Sequence, residues 1–111
     1  MTAGADDEYK SQSCTASAAL DYFQRDAEAA AEISVDTPHC ARASGSLVVE
    51  VTIKADAADL PEKLAFAETW KRDDGQPVIM QRRYSIGTNV QLLRIRIRQL
   101  TCSCDEKAPI D

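Results

Sequence analysis

The chain has 111 residues, a formal charge of −5 and 44% hydrophobic residues. That length points to one domain that buries roughly two-thirds of its unfolded surface, and the hydrophobic content excludes a disordered body. The acidic balance argues against a general nucleic-acid binder, no run of about 18 apolar residues offers a membrane-spanning helix, and no charged-then-apolar leader suggests an uncleaved signal peptide.

Residues 1–13 read as a polar N-terminal tail, 14–104 as one globular domain and 105–111 as a polar C-terminal tail. From Thr15 the spacing of Ala16, Ala19, Leu20, Phe23, Ala27 and Ala30 matches the stripe of an amphipathic helix, predicted over about 16–29. Thr15 or Ser17 can cap its start. Ala31, Ile33 and Val35 then alternate with Glu32, Ser34 and Asp36 as a short strand would, with a continuing helix as the competitor. Thr37-Pro38 ends either element.

A loop carries His39 and Cys40. Leu47 to Lys54 follows as a clear strand, with Leu47, Val49, Val51 and Ile53 on one face. Leu64 to Lys71 is the next, with Leu64, Phe66 and Trp70 on one face. Glu68 interrupts that face, which calls for an edge position or an arginine partner. The turn Asp73-Asp74-Gly75-Gln76 leads to a strand over Pro77–Ile86, where Arg82 intrudes among Val78, Met80 and Tyr84. Gly87-Thr88-Asn89 turns the chain once more.

The last strand, from Val90, organises the rest. Leu93, Ile95 and Ile97 alternate with Arg94, Arg96 and Arg98, so a period of two predicts an apolar face and a cationic one. Gln99-Leu100 breaks the alternation, and a bulge there would return Leu100, Cys102 and Cys104 to the inner side. The predicted fold is mainly β (α+β): a four- to five-stranded antiparallel meander with one N-terminal amphipathic helix. The strand spacing and Trp70 in mid-sheet also resemble small extracytoplasmic immunoglobulin-like modules, which implies a two-sheet sandwich instead.

Charge is unevenly spread. Residues 1–63 hold 12 acids and 5 bases, and residues 64–111 hold 6 acids and 8 bases. Internal pairing of the two halves is the ordinary outcome; a local basic patch is the functional one. Arg94, Arg96 and Arg98 would form that patch, extended by Arg82 or Arg83 and by Lys71 or Arg72. It could grip phosphates, an acidic protein or anionic lipid. No aromatic residue interleaves the arginines, so no stacking platform for single-stranded nucleic acid is present.

Cys14, Cys40, Cys102 and Cys104 are disulfide candidates. Cys102 and Cys104, two apart on a strand, point the same way and pair poorly with each other. Cys14 and Cys40 are therefore each expected to bridge to one of them. A helix extending to residue 33 would exclude a Cys14–Cys40 bond, whereas a shorter one would allow it. Two bridges imply a periplasmic or secreted setting; four reduced thiols would imply the cytoplasm. His39, Cys40, Cys102 and Cys104 also have the ligand chemistry of a zinc or copper site.

There is no Gly-rich phosphate loop, no H-E-x-x-H and no G-x-S-x-G. The expectation is a non-enzymatic module without cofactor that contacts another protein through a sheet face or edge strand. A metal-handling or redox protein, and an acidic immunity-type inhibitor of a basic toxin, are the alternatives.

Overall fold

A computed structural model describes residues 14–104. The predicted tails at 1–13 and 105–111 lie outside the described residues. The chain forms β1 (Ser17–Arg25), β2 (Glu28–Asp36), β3 (Ala43–Ala55), β4 (Glu62–Arg72), β5 (Val78–Ser85), β6 (Val90–Arg98) and the short β7 (Ser103–Cys104). All pairings are antiparallel. One sheet has the order β1-β2-β5; the other has β4-β3-β6, with β7 pairing with β3 beyond the end of β6.

The predicted helix over 16–29 is absent. Those residues form β1, a turn at Asp26-Ala27 and the start of β2, in register from Ser17–Asp36 to Arg25–Glu28. Asp26 turns the chain at φ 55°, a conformation that a short side chain able to bond its own backbone tolerates. The segment is Ala-rich, and Ala satisfies a spacing of three and four as readily as a spacing of two. The tertiary setting then overrides helix propensity, because β2 is the central strand of its sheet and Ala29, Ala31, Ile33 and Val35 are all buried on one face. The expected meander is likewise replaced, since β5 returns to the sheet of β1 and β2 while β6 crosses back to β3.

The two sheets pack with their apolar faces together. Leu47, Val49, Val51 and Ile53 of β3 meet the buried row of β2 in a single core that also holds Trp70, Met80, Tyr84, Ile86 and Ile95. The predicted alternation of β3, and of Val78, Met80 and Tyr84 in β5, is what places these residues inside. Gly75 and Gly87 take positive φ in the turns that the sequence marks. Gly45 has a different role. A Cβ there would run into the Thr101 carbonyl oxygen and lie 2.7 Å from the Trp70 ring, so only Gly lets the chain at Thr101 pass over β3. Thr101 fastens that passage by donating its N–H to the Ser46 carbonyl at 2.8 Å and accepting the Ser46 N–H at its hydroxyl at 2.9 Å.

Candidate functional site: a basic sheet face and its edge

β6 positions the arginines. Opposite it, Thr52 and Ile53 of β3 pair with Arg94 and Leu92, which leaves Leu93 as a bulge residue. The bulge shifts the parity of the strand. Leu92 takes the inner place, and Leu93, predicted to face inward, is 42% exposed. Beyond the bulge the prediction holds: Ile95 is buried, Ile97 is half-buried, and Arg94, Arg96 and Arg98 are exposed on the outer face. At Gln99, φ of 55° breaks the strand, and Leu100, Cys102 and Cys104 pack against the core as the sequence suggests.

On the outer face of the β4-β3-β6 sheet, the strand positions carry six cations (Lys54, Lys63, Lys71, Arg94, Arg96 and Arg98) and one carboxylate, Glu50. Glu50 lies centrally on β3 and receives both Arg96 (3.3 Å) and Arg98 (3.2 Å). Between the cations stand the uncharged Val48, Thr52, Ala65, Ala67 and Thr69, and Asp73, just past the end of β4, pairs with Lys71 at 3.9 Å. Lys54 turns its ammonium to the Ala58 carbonyl at 2.7 Å.

The other predicted patch residues lie elsewhere. β5 belongs to the opposite sheet, so Arg83 is exposed on that sheet's outer face. Arg82 points between the sheets, where its Nε lies 2.9 Å from Glu68. Glu68 also accepts the Tyr84 hydroxyl at 2.7 Å, and Tyr84 stacks on Phe66 with ring centroids 4.3 Å apart. Both sequence expectations for Glu68 thus hold together: it sits on an edge strand and it pairs with an arginine. Burial, and then the hydrogen bond and negative charge of Glu68, hold the Tyr84 phenol well above its ordinary pKa, with Arg82 opposing.

Arg72 is also excluded from the patch. It is a buried residue whose guanidinium donates to the Thr37 carbonyl (2.6 Å), the Thr37 hydroxyl (2.8 Å), and the Cys40 and Gly75 carbonyls, and it pairs with Asp36 at 3.0 Å. Its parity matches the buried Ala43 opposite it, so it faces the end of the sandwich. There it ties the 37–40 turn to the 73–75 turn.

The outer edge of β6 lies beside the edge of β1. Gln24 spans the gap: its amide nitrogen donates to the Val90 carbonyl at 2.7 Å and its amide oxygen accepts the Leu92 N–H at 2.8 Å. The side chain thus imitates one peptide unit of a neighbouring strand. Along this flank, Leu20 and Ile97 are only half-buried and Tyr22 is 40% exposed. Nothing in the sequence signalled the pairing of Gln24, because its partners are backbone groups 66 and 68 residues away.

The cysteines pair as expected, Cys14 with Cys102 and Cys40 with Cys104, at Cα separations of 5.8 and 5.7 Å. With the helix absent, helix length no longer bears on which cysteine Cys14 can reach. The outcome is the same because β7 and the 99–101 passage bring Cys102 and Cys104 to two different segments. His39 is exposed in the loop. Among the described residues, no helix is long and apolar enough to cross a membrane. No protein-family model, no curated protein and no solved structure matches the chain.

Proposed function

We propose that the chain is a non-enzymatic protein-binding module of immunoglobulin-like type that works in the periplasm or outside the cell. It takes an acidic, extended segment of another protein along β6. The observation that carries this reading is the coincidence, on one edge strand, of three exposed arginines and an outer edge that no strand pairs with among the described residues, β1 lying beside it and meeting its backbone through the Gln24 side chain. An added strand would gain main-chain hydrogen bonds from the edge and charge pairing from Arg94, Arg96 and Arg98. The six-to-one excess of cations on that outer face, in a chain of net charge −5, supports an anionic partner. The two disulfides are compatible with an oxidising compartment.

The test uses a synthetic peptide in which Asp or Glu alternates with Val, titrated at several salt concentrations. Binding should weaken steeply with salt, and the triple change of Arg94, Arg96 and Arg98 to Ser should lower affinity at least about 100-fold with the fold retained. Equal binding by the triple variant, or none by the parent chain, refutes the proposal.

A second reading rests on the opposite sheet. The outer face of β1-β2-β5 carries Asp21, Glu28, Glu32 and Asp36 against Arg25 and Arg83, beside a depression of about 520 Å³ and an exposed Phe23 (59%). That surface fits a basic protein, as an immunity-type inhibitor requires. Loss of toxin protection on changing Glu32 and Asp21 to their amides, with the arginine variant unaffected, would select this reading over the first.

A further inference from the structure

The two disulfides occupy one place. The sulfurs of Cys14, Cys40 and Cys104 all lie within 4.8 Å of one another, and Cys102 is bonded to Cys14. Three separate segments deliver them: the approach to β1, the β2–β3 connection, and the C-terminal run ending in β7. Cys40 is buried and the others are half-buried. Two of these segments are fixed independently of the sulfur bonds. The 37–40 turn is closed by the Cys40 N–H donating to the Thr37 carbonyl at 3.0 Å and is held by Arg72. Ser103 and Cys104 pair with Ser44 and Ala43, and Thr101 is fastened to Ser46.

A tetrahedral zinc ion with about 2.3 Å Zn–S bonds sets its sulfurs roughly 3.8 Å apart. Three of the four sulfurs are already gathered within 4.8 Å. Cys102 is outside that group and is tied to it by its bond to Cys14, so once reduced its side chain must rotate toward Cys40 and Cys104 to complete the tetrahedron. We infer that, once reduced, Cys14, Cys40, Cys102 and Cys104 form a tetrathiolate site for one zinc ion, which takes over the stapling of the same three segments.

The chemistry balances. A dithiol reductant gives each disulfide two electrons and two protons, releasing four thiols and leaving two oxidised reductant molecules. Zinc then forms four Zn–S bonds as four protons leave to solvent. The resulting site carries two negative charges, and the buried guanidinium of Arg72, hydrogen-bonded to the Cys40 carbonyl, is a cation placed on the turn that bears one ligand. The ligand set differs from the one the sequence suggested: Cys14 is in the cluster, and the exposed His39 is not required.

The experiment reduces the full chain with a dithiol under argon, removes the small thiols, and titrates with Co²⁺ and then Zn²⁺. The expected result is saturation at one cobalt per chain with the intense absorption of tetrahedral thiolate coordination, bleached by one equivalent of zinc. Cys40→Ser and Cys14→Ser should each weaken zinc binding by more than the 10- to 100-fold typical of an outer-shell loss. If the reduced chain loses its sheet signal, one equivalent of zinc should restore it. The inference is overturned if the reduced chain keeps its fold and takes up no cobalt at equimolar metal. It is equally overturned if an unfolded reduced chain is not restored by zinc, or if the Ser variants bind as tightly as the parent.

Discussion

Where β4 meets β5, the space between the sheets is filled by a carboxylate, a guanidinium and a phenol; where β6 meets β1, it is spanned by the amide of Gln24. The first flank is sealed by side chains that satisfy one another. The Glu68 carboxylate receives Arg82 and Tyr84, and Phe66 covers the Tyr84 ring. The second flank uses a neutral side chain on backbone groups, with Leu20 and Ile97 only half-covered. The contrast marks where this sandwich can accept another strand. Opening the first flank would strand charges between the sheets, whereas opening the second exchanges two hydrogen bonds for those of an incoming backbone.

Changes that break this contrast should differ in size. Glu68→Ala leaves a guanidinium and a phenol without their acceptor, and should cost about 2–3 kcal/mol, read from the urea midpoint at constant slope. Arg82 is more than a third exposed, so water compensates part of the loss. Tyr84→Phe removes one bond of the same network and should cost about 1 kcal/mol at neutral pH.

It should also change the alkaline limb of stability. The folded phenol titrates above the unfolded value of about 10, so its contribution is full below pH 10 and fades as pH rises through the folded value. A denaturation series across that range should show the parent losing stability with pH more steeply than the Phe variant. Parallel curves would dissociate Tyr84 from the effect.

On the other flank, Gln24→Ala should cost no more than about 1 kcal/mol, because both bonds are solvent-accessible. Its signature is local: the Leu92 amide should exchange with deuterium faster, and the affinity for an acidic strand should rise as the edge is freed. Arg94, Arg96 and Arg98 changed together to Ser should cost about 1 kcal/mol, since the arginine ends are exposed and water can replace them, although the Glu50 carboxylate they pair with is itself only 12% exposed. Thermal unfolding that moved far more than this would make the arginines structural and leave the proposed binding face without its argument.

Much of the sheet architecture was legible because period-two alternation is a local property. Leu47 to Ile53, the Trp70 face, and Ile95 against Arg94 and Arg96 all read correctly. So did the turns at Gly75 and Gly87, because a positive φ selects its residue. The β1–β2 hairpin was not legible. Its turn is Asp-Ala rather than a glycine pair, and its alanines fit either periodicity, so only burial against β3 selects the extended form. Leu93 misled for a related reason, since a bulge is a mismatch between two strands and has no signature in one of them.

Of the binding surface, local pattern alone puts Arg94, Arg96 and Arg98 on one side, since alternation of side chains is built into any extended backbone. The same local geometry sends Cys102 and Cys104 to different partners, because side chains two apart on a strand run parallel and do not converge to bond each other. Tertiary structure decided the rest. The return of β5 to the β1-β2 sheet separated Arg82 and Arg83 from the trio, buried Arg72 in the turn cluster, and left β6 as an edge beside Gln24. Sheet order is settled by which apolar rows cover one another most completely, and that depends on the whole set of strands.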